Sequence, residues 1–506
     1  MRRVFAVDVL ECPRCQGPMR ILVLGDFSGR ASRGLIDHGD ALAERPTPAV
    51  DIDGIDDALY RYAPRLHLPL QDPDAPSIAV DFKQLDDFHP DALYRELAVF
   101  RSMRELRERL LAPESFPREA EEWGQARSSS GGTGEKAPDE SPKPREDEGE
   151  MFERLLGRKP AERPQARAAP PREGVDITPF IRSIVRPYVV AAPSASQDHL
   201  VASVDQATTM QMRALLHDSA FEQLEAAWRG VDWLTRRVET GEELSIHLLD
   251  LSKDELVADL GATGGDIRSS GLYRLLVDKA TGPPGGHPWS VLAGQYTFGT
   301  SPEDAALLEA LGTIASRAGA PFVAAADPRL LGSDSLAHQP DPHTWKALDA
   351  EAQKRWTRLR SSPAARWVGL AIPRVLLRLP YGARTEPIDA FAFEEQALVP
   401  EHSSYLWSNP SIACSMLLAR AFVENGWAMQ PGDFLDIEDL PAHHFEVEGE
   451  MRLTPVAEAF LTESAAEQIL RSGIMPVLSY RNRNAARLLR FQSLADPAAA
   501  LEGPWQ

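Results

Sequence analysis

Cysteine, positive charge and long apolar runs are all scarce in this chain, and each scarcity excludes a class of protein. Only three cysteines occur among 506 residues, Cys12, Cys15 and Cys414. Three are too few for a disulfide framework, and their scarcity fits a reducing compartment. No run approaches the roughly 20 apolar residues that a membrane-spanning helix needs. The sequence therefore predicts a cytoplasmic protein that does not insert into a membrane.

The charge balance argues against nucleic acid as a partner. Lys and Arg number 54 against 75 Asp and Glu, which gives a formal net charge of −21. Nucleic-acid affinity comes largely from cations that neutralise phosphates. Hydrophobic residues make up 43% of the chain and charged residues 25%, a composition typical of folded globular domains. Because the length exceeds what one core usually serves, we expect more than one domain.

Composition divides the chain into two folded parts and a tether. Residues 112–174 are rich in Pro, Ser, Gly and charge, and such a segment buries too little apolar surface to offset its ordering entropy. We therefore predict a first domain over 1–111, a flexible linker over 112–174 and a second domain over 175–506. Within the linker, Phe152, Leu155 and Leu156 have helical spacing and form a candidate docking peptide.

Hydrophobic periodicity predicts helices and strands in both parts, and hence an α/β (α+β) fold of mixed sheets with packed helices. The first part reads as a small α+β unit, with strands at 19–26 and 78–82 and one amphipathic helix from Pro90 to Leu110. In the second part, a long helical pattern covers 208–237. Capping signatures mark helix starts at Ser252 and Ser301, and apolar strands are predicted at 245–249, 291–296 and 322–326.

A search for catalytic and metal-binding motifs gives little. Cys12 and Cys15 have the spacing of half a zinc knuckle, but a closed site needs four ligands. A turn between two strands is the simpler interpretation, with zinc completed by histidines or by another chain as the alternative. The glycine-rich residues 131–137 lack the strand-loop-helix context of a phosphate loop. The acidic residues 51–57 are better explained as a helix N-terminus than as a calcium loop.

Two further patterns receive structural interpretations. His443 and His444 lack the spacing of a helical metalloprotease site, so we predict a solvated loop there. Arg374 and Arg378 are unusual charges in an apolar run, and a buried ion pair or an interface explains them better than catalysis does. The sequence predicts neither an enzyme nor a cofactor or metal site.

Several segments of the second part closely resemble the large contractile-sheath subunit of the bacterial type VI secretion system, TssC. They match in order and spacing over roughly 200–490. The segments are FEQLEAAWRG at 221–230, PWSVLAGQYTF at 288–298, APFVAAA at 320–326, WVGLAIPRVLLRLPYG at 367–382 and YLW at 405–407.

The first part resembles the small sheath subunit, TssB. The matching segments are LVLGDFSGR at 22–30, APRL at 63–66 and FKQLDDFHPD at 82–91. The chain therefore resembles a fusion of two subunits that are separate chains in most of the family. This division agrees with the one reached from composition.

The resemblance implies a structural protomer of a contractile sheath. Such protomers polymerise into a helical tube around an inner tube of haemolysin-coregulated protein, and contraction propels that tube and its spike into a target cell. The implied partners are further copies of the chain, the inner tube, baseplate proteins and the AAA+ unfoldase ClpV. The alternative is a non-contractile adaptor, or a capping or scaffold protein, of the same apparatus.

The resemblance also suggests residues that contact these partners. The family joins protomers by strands donated from chain ends. The candidate strand arms here are Val4, Phe5, Val7 and Val9 at one end and Leu488, Leu489, Phe491 and Leu494 at the other, with an ordinary edge strand of the same domain as the alternative. Phe152, Leu155 and Leu156 lie where the family carries its unfoldase-docking helix. Glu463 and Glu467 lie where the large subunit approaches the inner tube, although a solvated helix face is equally compatible.

Overall fold

The computed structural model describes residues 17–68, 78–119, 197–281, 286–396 and 400–505, together with positions 181, 184 and 185. Within these ranges the chain forms two compact units. Of the described residues, the larger contains 17–68, 79–93 and those from 213 onward, and the smaller contains 94–119 and 197–212. The division predicted from composition, with boundaries at 111 and 174, stays a prediction.

Helices and strands alternate along the chain, which confirms the mixed α/β class. The strands are β1 Met19–Gly25, β2 Ala49–Val50, β3 Arg65–Leu68, β4 Ile78–Asp81, β5 Leu244–Asp250, β6 Val291–Phe298, β7 Phe322–Ala326, β8 Val368–Ile372, β9 Val375–Leu376, β10 Trp407–Ser408, β11 Asp436–Ile437, β12 His444–Val447, β13 Glu450–Leu453, β14 Ile474–Ser479 and β15 Ala486–Leu488.

The main helices are α1 Asp40–Ala43, α2 Ile55–Tyr62, α3 Pro90–Glu96, α4 Ala98–Leu111, α5 Gln197–Leu216, α6 Ser219–Thr235, α7 Lys253–Gly261, α8 over 271–281 with a π turn at Arg274–Asp278, α9 Pro302–Ala318, α10 Ala350–Arg360, α11 Pro410–Asn425 and α12 Glu463–Arg471. Short 3₁₀ turns connect several of them.

A nine-stranded sheet organises the larger unit. Its strand order is β11-β15-β14-β8-β7-β6-β1-β5-β2. The strands from β14 to β5 run parallel, and β2, β15 and β11 add antiparallel strands at the two sides. Strand β1, from the first sequence part, lies between β5 and β6 of the second part. The two parts therefore share one sheet within a single chain.

Burial explains why β1 occupies the middle of the sheet. Its side chains Met19, Ile21, Leu22, Val23 and Leu24 are fully buried. At roughly 2 kcal/mol for each large apolar side chain, they contribute on the order of 10 kcal/mol. A strand covered on both faces reads as a continuous apolar run, as β1 does.

The smaller unit contains α4 and most of α5. Arg107 Nε donates to Asp205 Oδ1 at 2.6 Å, and Gln197 Nε2 donates to the carbonyl of Leu110 at 2.7 Å. Residues 112–119, the start of the predicted linker, form turns and the beginning of a helix. The rest of that linker, 120–174, lies outside the described residues.

Most predicted elements are confirmed, and the main differences concern helix length. The caps at Ser252 and Ser301 start α7 and α9 as predicted. The single helix expected from Pro90 to Leu110 is wrong, because Leu97 adopts an extended conformation between α3 and α4. The long helical pattern over 208–237 is likewise divided. Asp218 caps α6 by accepting the amides of Ala220 and Phe221, which ends the preceding helix.

Candidate functional site

The loop after β1 is fixed by two aspartates at the carboxyl ends of β1 and β5, the partly buried Asp26 and the buried Asp250. Asp26 accepts the amides of Arg30 and Ala31 at 2.6 and 2.9 Å. Asp250, at the end of β5, accepts the amides of Phe27 and Ser28 at 2.8 and 3.0 Å, and the Ser28 hydroxyl at 2.7 Å. Burial raises the pKa of both carboxyls. The contacts of Asp250 attach the first sequence part to the second.

Glycine is required in this loop. Gly29 has a φ of +74°, and a Cβ there would lie 2.5 Å from the carbonyl oxygen of Arg65. The close approach brings the loop against β3, where the amide of Arg65 donates to the carbonyl of Ser28 at 3.2 Å. A side chain at this position would separate the loop from β3.

Glu255 in α7 is the centre of an ion-pair cluster. Its side chain is fully buried and lies 2.8 Å from both Arg30 Nη2 and Arg45 Nη2. It also accepts the amides of Asp37 and Ser252, each at 3.0 Å. Burial alone would raise the pKa of Glu255, but hydrogen bonds from Arg45 and Arg30 lower it to about 2. One carboxylate thus caps a helix and binds two arginines of the first part.

A second buried cluster surrounds Arg378. Its guanidinium donates to Glu225 at 2.9 Å and to Glu395 at 2.8 Å, and Arg229 donates to Glu225 at 2.6 Å. Burial alone would raise the pKa of Glu225, but Arg378 and Arg229 lower it. The same two carboxylates raise the pKa of Arg378 against the effect of burial. The prediction of a buried ion pair at Arg378 is confirmed.

Arg374 forms a separate pair with Glu458. The guanidinium lies 2.7 Å from the carboxylate, and the Arg374 amide donates to the same group at 2.7 Å. His402 Nε2 is 2.9 Å from Glu458. Burial would raise the pKa of Glu458, whereas Arg374 and His402 lower it to about 2. The prediction of a buried ion pair is wrong for Arg374, because its side chain is 44% exposed, and the alternative of an interface stays a prediction.

A cleft of about 510 Å³ opens where β1, β5 and β6 end. Its walls include the loop after β1, the first half of α6, the first turn of α7 and the residues around β10. Charged side chains at its surface are Asp26, Glu222, Lys253, Asp254 and Arg374. The cleft is a concave surface large enough for a ligand or a peptide side chain.

Metal and membrane sites are not found in the described ranges. No group of three or more His, Cys, Asp and Glu side chains there could hold a metal ion. No helix in the same ranges is long and apolar enough to cross a bilayer.

The prediction of a solvated loop is wrong for His443, which is buried and whose Nδ1 lies 2.6 Å from the Tyr405 hydroxyl. His444 is exposed in β12.

The predicted C-terminal arm lies in the chain's own fold. Leu488 pairs with Val477 in the nine-stranded sheet, and the Leu489 amide donates to the carbonyl of Pro476 at 2.9 Å. Phe491 and Leu494 are buried. This arrangement corresponds to the own-domain alternative, and strand exchange between protomers stays a prediction.

The other predicted contact residues are dispersed. Glu463 and Glu467 are exposed on α12, and Glu467 pairs with Arg471 at 3.0 Å. The N-terminal arm residues Val4, Phe5, Val7 and Val9, the docking residues Phe152, Leu155 and Leu156, and the cysteines Cys12 and Cys15 lie outside the described residues.

Sequence reasoning missed the roles of Asp250, Glu225 and Glu255. Glu255 did carry a signal, because it follows Ser252 by three residues and was recognised as part of a capping box. Its second role depends on Arg30 and Arg45, more than 200 positions away. Charged residues at the end of an apolar strand, as at Asp26 and Asp250, are the pattern that would have indicated this cluster.

Comparisons with known proteins agree with both resemblances. Residues 198–495 match the VipB family (EvpB), described as a tail-sheath N-terminal domain. Residues 14–116 match the VipA family of the type VI secretion system. A curated relative, the type VI secretion system sheath protein TssC1 of Pseudomonas aeruginosa, is 33% identical over 311 residues. That alignment covers 60% of this chain and 62% of the relative.

Proposed function

Because the chain belongs to the type VI secretion sheath family, we propose that it is a structural protomer of a contractile sheath. It polymerises into a helical tube around an inner tube and contracts to propel that tube and its spike. One observation carries the proposal: regions matching the two sheath families lie in one chain, and β1 of the VipA region completes the sheet of the VipB region.

Polymerisation needs contacts that do not close on themselves, so that identical protomers add in a helix. Strand addition supplies such a contact. Within the described residues, β12 and β13 pair only with each other. Their outer edges are therefore open to a further strand, and Met451 on β13 is 68% exposed. We assign the arm at Val4, Phe5, Val7 and Val9 to such an open edge of a neighbouring protomer.

Deleting residues 1–9 tests this assignment. The deletion leaves every described strand intact, since the first of them, β1, starts at Met19. The variant should therefore fold, retain the wild-type circular dichroism spectrum and fail to form tubules. A matched control replaces Val4, Phe5, Val7 and Val9 by other β-branched or aromatic residues, which should preserve tubules. Tubules of normal length from the deletion variant would contradict the assignment.

The partner contacts belong to the same proposal. Glu463 stands in the first turn of α12, exposed and preceded by the N-cap Thr462, and could meet a basic surface of the inner-tube protein. Glu467 is less available, because Arg471 pairs with it. Replacing Glu463 by lysine should reduce co-sedimentation of the sheath with the inner tube. Replacing Glu351, an exposed carboxylate on α10, provides the control.

We assign binding of the ClpV unfoldase, which recycles the sheath, to Phe152, Leu155 and Leu156. We also propose that baseplate proteins attach to the tube. A pull-down with the unfoldase should lose the chain when these three residues become serine, and unchanged capture would remove the assignment. The chain carries out no catalytic step in this proposal. We place its assembly in the cytoplasm, which the scarcity of cysteine supports.

The first experiment is expression of the whole chain alone, followed by negative-stain electron microscopy. Long hollow tubules are expected if one gene product contains both sheath subunits and suffices for polymerisation. Discrete particles that also fail to elongate when inner-tube protein and baseplate are supplied would overturn the proposal. They would favour the adaptor instead.

A further inference from the structure

The cleft described above lies where open parallel sheets commonly bind their ligands. It opens at the carboxyl ends of β1, β5 and β6. Strands β5 and β6 lie on opposite sides of β1 in the sheet. The order of the strands therefore reverses at β1, and such a reversal leaves a crevice at the carboxyl ends of the strands. Crevices outside the carboxyl ends of strands, at such switch points, are the usual ligand sites of open α/β sheets.

The cleft carries surplus negative charge. Its two cations are already neutralised: Lys253 lies 2.5 Å from Asp304, and Arg374 lies 2.7 Å from Glu458. Its carboxylates have fewer cationic partners than its cations have acidic ones. Asp26 receives only backbone amides, and neither Asp26 nor Asp254 has an ion-pair partner within the described residues. Glu222 faces His217 at 3.0 Å. The surplus favours a cationic occupant.

The lining favours a long cationic side chain over a compact cation. Apolar groups of Leu66, Leu224, Leu406 and Trp407 line the cleft beside its carboxylates. Arginine combines an apolar stem with a planar head that binds carboxylates in a bidentate manner and stacks on aromatic rings. The three carboxylates stand on separate walls: the loop after β1, α6 and α7. Cations spaced along a peptide match this arrangement better than a single small cation does.

From this geometry we infer that the cleft binds a basic, arginine-bearing peptide segment of a partner protein. The net charge of −21 makes a second copy of the chain a poor source of the occupant. The inference concerns a surface distinct from the predicted strand arms, and it stands whether or not the chain polymerises.

The test measures fluorescence anisotropy of a labelled peptide of alternating Gly and Arg, containing three arginines, against the whole chain at physiological salt. The variant combines Glu222→Gln with Asp254→Asn. Asp254 is exposed and Glu222 is partly exposed, and glutamine can keep the hydrogen bond to His217, so the fold should be retained; circular dichroism checks this. The control is Glu303→Gln, since Glu303 is an exposed carboxylate in the first turn of α9, as Asp254 is in α7.

The double variant should weaken peptide binding by about tenfold, because each surface ion pair is worth up to about fivefold in affinity. The control should stay within about twofold of wild type. Ala31→Arg, which supplies the cleft with its own guanidinium, should also block binding. Equal affinity of wild type and double variant would overturn the inference. So would competition by free arginine at the same concentration as the peptide, because that result would indicate a small-cation site.

Discussion

Replacing Glu255 by glutamine should weaken the attachment of the β1 loop to the sheet. The carboxylate is fully buried and binds Arg30 and Arg45. Its pKa falls from an ordinary 4.5 to about 2. At about 1.4 kcal/mol for each pKa unit, the ionised form gains about 3 kcal/mol from its surroundings. Glutamine removes that gain and leaves two arginines with Asp37 as their remaining acidic partner in the cluster.

Hydrogen exchange of the peptide covering residues 19–30 measures this loss. Because exchange of this segment requires it to open, a loss of about 3 kcal/mol should accelerate exchange about 100-fold. Glu351→Gln is the matched control, since its pair with Lys354 is exposed and worth little. Acceleration of less than about fivefold would refute the reasoning, because the cluster would then contribute under about 1 kcal/mol.

The sign of the pH dependence gives an independent check. The pKa of Glu255 is lower in the fold than in the unfolded chain, so its stabilisation is complete well above pH 4.5 and is lost as the pH falls toward about 2. The difference in protection between wild type and Glu255→Gln should therefore be constant near neutrality and shrink through this acidic range. A difference that grew on acidification would contradict the assignment.

Two further predictions concern buried groups. Arg378→Met leaves Glu225 and Glu395 without their shared cation, and should lower the free energy of unfolding, measured by chemical denaturation, by about 3–5 kcal/mol. Adding Glu225→Gln should recover part of this loss. A single variant as stable as wild type would refute the role of the cluster. Burial raises the pKa of the Cys414 thiol to about 12, so iodoacetamide at pH 8 should label Cys414 only after denaturation, as read by peptide mass spectrometry. Labelling of the native chain would contradict that burial.

Local features of the fold could be predicted because they are encoded locally. The apolar runs of β6 and β7 are bounded by turns, and Ser252 and Ser301 carry cap chemistry within four residues of each helix start. The helix break at Leu97 could not be predicted in this way, since the spacing of apolar residues continues across it. The burial of His443 depends on Tyr405, which is distant in sequence.

The position of β1 was beyond sequence reasoning for a different reason. A central parallel strand is apolar on both faces, so its pattern gives no information about its neighbours. Its partners β5 and β6 begin at Leu244 and Val291, and pairing across such separations leaves no periodic trace. The same limit applied to the cleft, whose walls come from segments far apart in the chain.

The location of β1 constrains how a sheath built from this chain can move. Sliding β1 against β5 would break a seven-residue register, expose five fully buried side chains and separate Glu255 from Arg30 and Arg45. Each of these costs is large beside the few kcal/mol that separate two working conformations. In a contracting sheath, the nine-stranded sheet should therefore move as one body. The conformational change of contraction must then take place where strands are short and their edges are unpaired, as in the β12–β13 ribbon.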